Sequence, residues 1–497
     1  MQADPRSIDP RDGQEPARAH WTASERESFF DAIARHRRAA WRVTLASSLA
    51  NVLVALIVAI LMSPIFYSVL GLLLDVINII VPMPNLLGTI MDALGAWSDA
   101  PDSVTTAGWI RFLTLAAVPG IVWMVVVLFA LRRALRLSAT FDAGDLEARP
   151  PDPATLAEQQ LANVIEEMSI AAGVPPPRVR VVERSLLNAA VFGRDDEHVT
   201  VVVSKGLLQR MDRAEMQGVA AHLVGSIANG DMAIGLRAAV TLSLFGFITY
   251  LGTVLVNSER AAARLLGLLR TTLLPTAAGA RDLAASLADP FVHTDSPTRE
   301  TTATPAARKA GPQSRWEKAR PYLWLPLAGP LVISGFFGGI VSAYVLGPLL
   351  ALTWRRRKYM ADATAVRLTR DPNTLGEALE KMSAAGEGAA FAPWTAHLSV
   401  VPLGRGQANL LGGATVPMFP SLDRRLRALG KLGARLQRAP ERMPRRMVLI
   451  LTPLSVIVGI LVAALLPLLI WLSLALTMLF TAIPVGIVHV LLRALGH

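Results

Sequence analysis

Met216 to Met232 read MQGVAAHLVGSIANGDM, and five of these positions have the frame of a His-Glu-x-x-His helix with most of its metal chemistry taken out. The intact pattern puts two imidazoles one helical turn apart on one face, where both reach a single Zn²⁺, with the Glu beside them to activate a water. Here the slots read His222, Leu223, Val224, Gly225 and Ser226. The first imidazole stays, the carboxylate has become an aliphatic side chain, and the second imidazole has become a hydroxyl. Whether the chain is an enzyme at all turns on that difference.

The 497 residues are 52% hydrophobic and include no cysteine. That excludes disulfides, a thiolate-bound metal and a thiol nucleophile. Several uncharged runs are long enough to cross a bilayer, so the reading is an α-helical multi-pass membrane protein. The net charge of +11 suits Lys- and Arg-rich cytoplasmic loops in such a protein, and no nucleic-acid partner is expected.

Outward from His222 the apolar runs divide the chain. Residues 1–40 are polar and charged, which predicts no cleavable signal. Within them Ser24-Glu25-Arg26-Glu27 has capping-box spacing and opens a short helix with Phe29, Phe30, Ile33 and Ala34 on one side. A membrane region over 41–135 holds spans at about 43–62, broken at Pro64, and at 112–131, each near the ~20 residues a crossing needs. Between them, 66–105 carries Asp75, Asp92, Asp99 and Asp102 without Lys or Arg, so it faces outward and leaves the N-terminus cytoplasmic. Residues 138–236 form a first soluble block, with helices over Ala157–Ala172 and from Lys205, and β-branched strand runs at Val179–Val182 and Val199–Val203. A membrane segment at 238–256, a basic flexible loop at 257–320 and a membrane segment at 321–353 follow. A second soluble block at 354–446 leads to a C-terminal membrane hairpin at 448–492. The segment at 238–256 either crosses fully or only dips into the bilayer, because 259–320 holds ten basic against six acidic residues. Gly335 and Gly339 make a GxxxG, where a second helix can approach closely, and are the candidate oligomer contact.

Landmarks then recur in a fixed order. They are Ala172-Gly173-Val174-Pro175, Leu187-Asn188-Ala189 before Gly193-Arg194, Val203-Ser204-Lys205-Gly206-Leu207-Leu208, and Ala214-Glu215-Met216 ahead of His222 with Asn229-Gly230-Asp231 behind it. Downstream come Arg357-Lys358-Tyr359-Met360-Ala361-Asp362, Leu368-Thr369-Arg370-Asp371-Pro372, Ala378-Leu379-Glu380-Lys381-Met382, and Phe419-Pro420-Ser421-Leu422 before Arg424 and Arg425. In this order they resemble the integral-membrane zinc metallopeptidases related to HtpX and the CAAX prenyl protease, over roughly Ala157 to Leu429. The resemblance implies a mainly α, α+β cytoplasmic domain with a zincin-type helix and a small sheet, carried in a bacterial inner membrane, with zinc as the family's cofactor.

It also implies a site. The family's ligand positions fall on His222, Ser226 and Lys358, its general base on Leu223, and an orienting partner for the first histidine on Asp362, with Asp231 kept behind the helix. A protonated lysine has no lone pair to give and repels a dication. A serine hydroxyl is a poor zinc ligand, and leucine accepts no proton. Of the eight histidines none other stands in motif spacing; His198 and His397 read as surface or structural. No zinc and no catalytic residue are therefore expected. Lys358 and Asp362, four apart on a helix, are expected to pair with the ammonium near the metal position; otherwise Lys358 extends the Arg355–Arg357 collar toward lipid phosphates. Asn188, Ala189, Val201, Val202 and Val203 form the candidate peptide groove, since the resemblance implies an edge strand that takes extended peptide by strand addition.

The function expected is a catalytically inactive pseudoprotease in the lipid bilayer, acting as scaffold or regulator of a membrane-protein client. One rival is an active zinc metalloendopeptidase with non-standard ligands in membrane protein quality control, and a Ser226/Lys358 dyad is a remoter chemistry. Another is a component of a transport complex, which predicts charges buried in spans that are almost free of them.

Overall fold

A first helix starts where the sequence offers an acceptor to its free N–H groups. Ser28 Oγ accepts from Phe30 N at 3.2 Å, and α1 (Phe29–Asn78) follows. The computed structural model describes residues 27–78, 81, 105–138, 147–193, 198–234, 347–384, 399–401 and 419–435, with isolated positions between 247 and 283 and residue 490. Ser24, the segments 238–256, 257–320 and 448–492, Gly335, Gly339 and His397 lie wholly or almost wholly outside it.

The helix starts later than the capping box predicts, and Glu27 instead pairs with Arg35 at 2.6 Å. Its buried stripe is Ala32, Ile33, His36 and Ala40, with Phe29 partly buried, while Phe30 and Ala34 are exposed. The predicted face is rotated to meet a later helix. Ala32 and Ile33 pack on Met360 and Ala363 of a later helix, which makes the lead-in part of the domain.

Pro64 does not end α1, as the sequence predicts it should. α2 (Thr106–Ser138) passes so close that a Cβ on Gly120 would fall 1.9 Å from the Ala59 carbonyl oxygen. Only glycine permits that approach. Gly120 N donates to Ser63 Oγ at 3.1 Å, and Ser63 Oγ donates to Ala59 O at 2.9 Å. Packing from the neighbouring helix offsets the backbone bond that Pro64 removes. The apolar runs at 43–62 and 112–131 lie inside α1 and α2. Among the described residues no helix is long and apolar enough to cross a membrane; most side chains of α1 over 50–76 lie outside them.

The sheet contains β1 (Ala148–Arg149), β2 (Arg178–Val182), β3 (Ala189–Gly193) and β4 (Val199–Ser204) in the order β1-β2-β4-β3. β2 and β4 run parallel, and the outer pairs are antiparallel. β4 is therefore interior, and Val201–Val203 cannot offer an edge to a peptide, which corrects the groove read from the sequence. The edges are β1 and β3, and only the Asn188-Ala189 part of the predicted groove lies at one of them, where β3 begins. Alternation along the strands sends Val181, Ala189, Val191, Val201 and Val203 into the main core, with Val182, Ala190, Phe192 and Val202 on the other face.

The helices that carry the site pack on the first of these faces. α3 (Leu156–Ala172) ends at Gly173 in the left-handed region, φ 71°, with Val174 N donating back to Ser169 O at 3.0 Å. α4 (Lys205–Arg210) follows β4 directly, and α5 (Arg213–Ala228) is opened by a reciprocal box: Glu215 N donates to Asp212 Oδ1 at 2.8 Å and Asp212 N to Glu215 Oε2 at 3.0 Å. α5 is buried on every side between α3, α6 (Gly347–Thr369) and α7 (Pro372–Ala384). Glycines at its contacts let backbones meet: a Cβ on Gly218 would fall 2.6 Å from Leu375 N, and one on Gly225 would fall 3.2 Å from Ala361 O. α6 runs unbroken through the predicted membrane boundary at 353, with Trp354, Arg357 and Lys358 buried inside the domain. α8 (Leu422–Lys431) completes the described core through Leu426 and Leu429.

Candidate functional site

Three elements converge behind the β3 edge: the middle of α5, the middle of α6 and the start of α8. His222 on α5 is fully buried, with Nδ1 2.8 Å from Asp362 Oδ1 on α6. The ring is off the angle of a well-formed hydrogen bond, and neither of its nitrogens has a properly aligned partner among the described residues. Burial lowers the imidazole to about 4, against the pull of Asp362 and with help from Arg425 and Lys358. At neutral pH it is an uncharged ring. One turn further, the buried Ser226 Oγ lies near Asp231 and also makes no hydrogen bond of normal geometry.

Leu223, at the position of the general base, is 1% exposed and belongs to the main core. Burying such a side chain stabilises by about 1.5–3 kcal/mol. A carboxylate in its place would lose that and would have to be desolvated as well.

Asp362 does not pair with Lys358. Arg425 of α8, 2% exposed, grips the Asp362 carboxylate with both prongs, Nε to Oδ2 at 2.9 Å and Nη2 to Oδ1 at 2.7 Å. The guanidinium fork matches the carboxylate, as a lysine cannot. Burial alone would raise this carboxyl, but Arg425 and His222 outweigh it and hold Asp362 far below the usual carboxylate range. Asp231 is likewise taken, by Arg357 Nε at 2.5 Å, and Arg357 also donates to the Asn229 carbonyl.

Lys358, 2% exposed, is buried inside the domain. Its Nζ donates to the Ser399 carbonyl at 2.8 Å and lies 5.4 Å from the centre of the Phe419 ring. Burial, then Arg425, lowers its ammonium to about 8, with Asp231 and Asp362 opposing. The collar reading of this lysine is overturned by its burial.

The segment that Lys358 holds lies on the sheet edge. Ser399 bridges antiparallel to Ala190 of β3, and Val400 N donates to Ala189 O at 2.9 Å. Arg425 Nη1 donates to Val400 O at 2.6 Å and Asn188 Nδ2 to Val401 O at 3.5 Å. Asn188 is held in turn by Ser204, whose Oγ accepts from Asn188 N at 3.2 Å and donates to Asn188 O at 2.9 Å.

Arg425, Arg357, Ser399 and Phe419 are the site residues that sequence reasoning did not assign a part. A buried arginine on the apolar face of α8, next to Leu426, was the available signal for the first. Nothing in the sequence near Ser399 points to an edge strand. Among the described residues no three His, Asp or Glu side chains stand together so as to hold a metal ion.

The model of peptidase family M48 matches residues 155–432 of the chain. The chain is 32% identical over 280 residues to the protease HtpX homolog of Dictyoglomus thermophilum, covering 54% of this chain and 69% of that one. It is 29% identical over 271 residues to the protease HtpX homolog of Thermoanaerobacter pseudethanolicus, covering 54% and 71%. A shorter stretch of 101 residues is 41% identical to the protease HtpX homolog of Pyrococcus furiosus, covering 20% and 32%.

Proposed function

Since the chain belongs to peptidase family M48, we propose that it is a membrane-anchored member that keeps the peptidase fold without its metal chemistry and acts as a holding or regulatory protein for a membrane-protein client. The observation that carries this reading is Lys358, a buried cation hydrogen-bonded to Ser399 at the slot the family resemblance gives to the third zinc ligand. Zinc does not fit the donor set: one imidazole from His222, a hydroxyl from Ser226, and an ammonium that repels a dication. The buried cluster already holds Arg357, Lys358 and Arg425 against Asp231 and Asp362, so a doubly charged ion would add to a net positive site. Leu223 supplies no base to activate water.

Membrane anchorage rests on the uncharged runs at 43–62 and 112–131, which lie in α1 and α2, with acidic residues on one side and arginines on the other. The domain divisions proposed from the sequence, a cytoplasmic placement of the peptidase-like domain in an inner membrane, and a helix contact through Gly335 and Gly339 follow from the same pattern. The test is photocrosslinking from native membranes followed by identification of what is captured. Recurrent intact membrane proteins support a holding role; captured fragments ending at a common cleavage position refute it.

A further inference from the structure

We infer that Ser399–Val401 is a built-in occupant of the site, an internal strand that closes the β3 edge and is locked there by Lys358. This inference rests on the metal-free reading, because it gives Lys358 the task of holding a carbonyl. Each of the three residues is held through its backbone: Ser399 O by Lys358 Nζ at 2.8 Å, Val400 O by Arg425 Nη1 at 2.6 Å, and Val401 O by Asn188 Nδ2 at 3.5 Å. Val400 N completes the grip on Ala189 O at 2.9 Å. The segment is also buried, Ser399 to 1% and Val400 to 0% exposure, with Val400 and Val401 in the main core.

Two of the four holds come from charged groups that are themselves out of water, and charge-assisted bonds are about twice as strong as neutral ones. An edge strand left open recruits any extended chain, and here the chain supplies its own. Arg425 ties the strand to the ion pair with Asp362, and Asp362 lies at 2.8 Å from His222, so edge and former metal pocket form one closed unit. An extended peptide from a client can reach β3 only after Ser399–Val401 leaves. Its recognition would then be of backbone, with a small residue facing Lys358 and β-branched residues beyond it.

The absence of cysteine makes the test clean in the full-length chain. Ala190→Cys with Ser399→Cys places two thiols on facing residues, and mild oxidation is expected to crosslink them nearly completely. Single Ser399→Cys is expected to resist a maleimide reagent while Ile170→Cys, at an exposed position, reacts at once. Adding Lys358→Met is expected to speed labelling of Ser399→Cys by about tenfold or more, the effect of losing one hydrogen bond on a local opening; Arg356→Met, at an exposed position on the same helix, is not. No crosslink, or labelling of Ser399→Cys as fast as Ile170→Cys, overturns the inference, as does an unchanged rate with Lys358→Met. Zinc content of the same samples separates the two ideas: zinc with a shielded Ser399→Cys refutes the metal-free reading alone, and a metal-free chain with an exposed one refutes the strand alone.

Discussion

Asp362→Asn removes one negative charge from the centre of the domain and leaves everything else nearly the same size. Asp362 is 1% exposed, and its two oxygens answer Arg425 at 2.9 and 2.7 Å. Arg425 is 2% exposed and cannot shed its proton, so the variant strands a buried guanidinium. Breaking one side of such a pair costs about 3–5 kcal/mol. Glu183, half-exposed and shared between Lys205 at 2.6 Å and Arg149 at 2.7 Å, is the internal standard, because water screens surface ion pairs of this kind and leaves them little weight in stability. For a domain of this size, 3–5 kcal/mol corresponds to a fall in Tm of roughly 6–20 °C. The assay is thermal unfolding of the detergent-extracted chain, followed by intrinsic tryptophan fluorescence, for Asp362→Asn beside Glu183→Gln. The double variant Asp362→Leu with Arg425→Leu is expected to recover most of the loss, since an apolar pair of similar volume carries no desolvation cost. An Asp362→Asn protein as stable as Glu183→Gln would refute the claim that this ion pair holds the buried cluster around His222 together.

Three further outcomes follow from the same geometry. Burial holds the Lys358 ammonium at about 8 in the folded chain, below its ordinary 10.5, so the unfolded chain binds the extra proton between those values. The folded state therefore carries its full penalty below about pH 8 and gains about 3 kcal/mol as pH rises to 10.5; urea unfolding across that range should show the slope, and Lys358→Met should lose it. His36 and His222 are both lowered to about 4, burial being the first cause for each, which makes stability complete above pH 6.5 and declining as pH falls toward 4. His36→Phe should keep the stack on Tyr359, whose ring lies 5.3 Å away, and remove about half of that acid slope, leaving the His222 share. Gly218→Ala would put its Cβ 2.6 Å from Leu375 N and should cost about 1–3 kcal/mol by forcing α5 from α7, seen as a lower urea midpoint.

Much of this site was legible because its chemistry is written in local spacing. The helix through His222 and the strands of valines needed only neighbours along the chain. What failed needed partners far away. Lys358 and Asp362 stand four apart, as an ion pair should, yet Arg425, 63 residues on, offers the better fork. β3 holds only Val191 and Phe192 as strong strand formers, between two alanines and a glycine, and the pairing with Val199–Val203 beside it makes the whole run a strand. Val201–Val203 looked like the edge for the same reason, as β-propensity marks strands and says nothing of their order. Pro64 predicted a break that the Gly120 contact with Ala59 overrides.

The most direct measurement is the metal content of the full-length chain, purified from membranes with zinc present throughout and read by elemental mass spectrometry. A metal-free site predicts zinc far below one ion per chain, unchanged by His222→Ala. One zinc per chain that disappears with His222→Ala would contradict it.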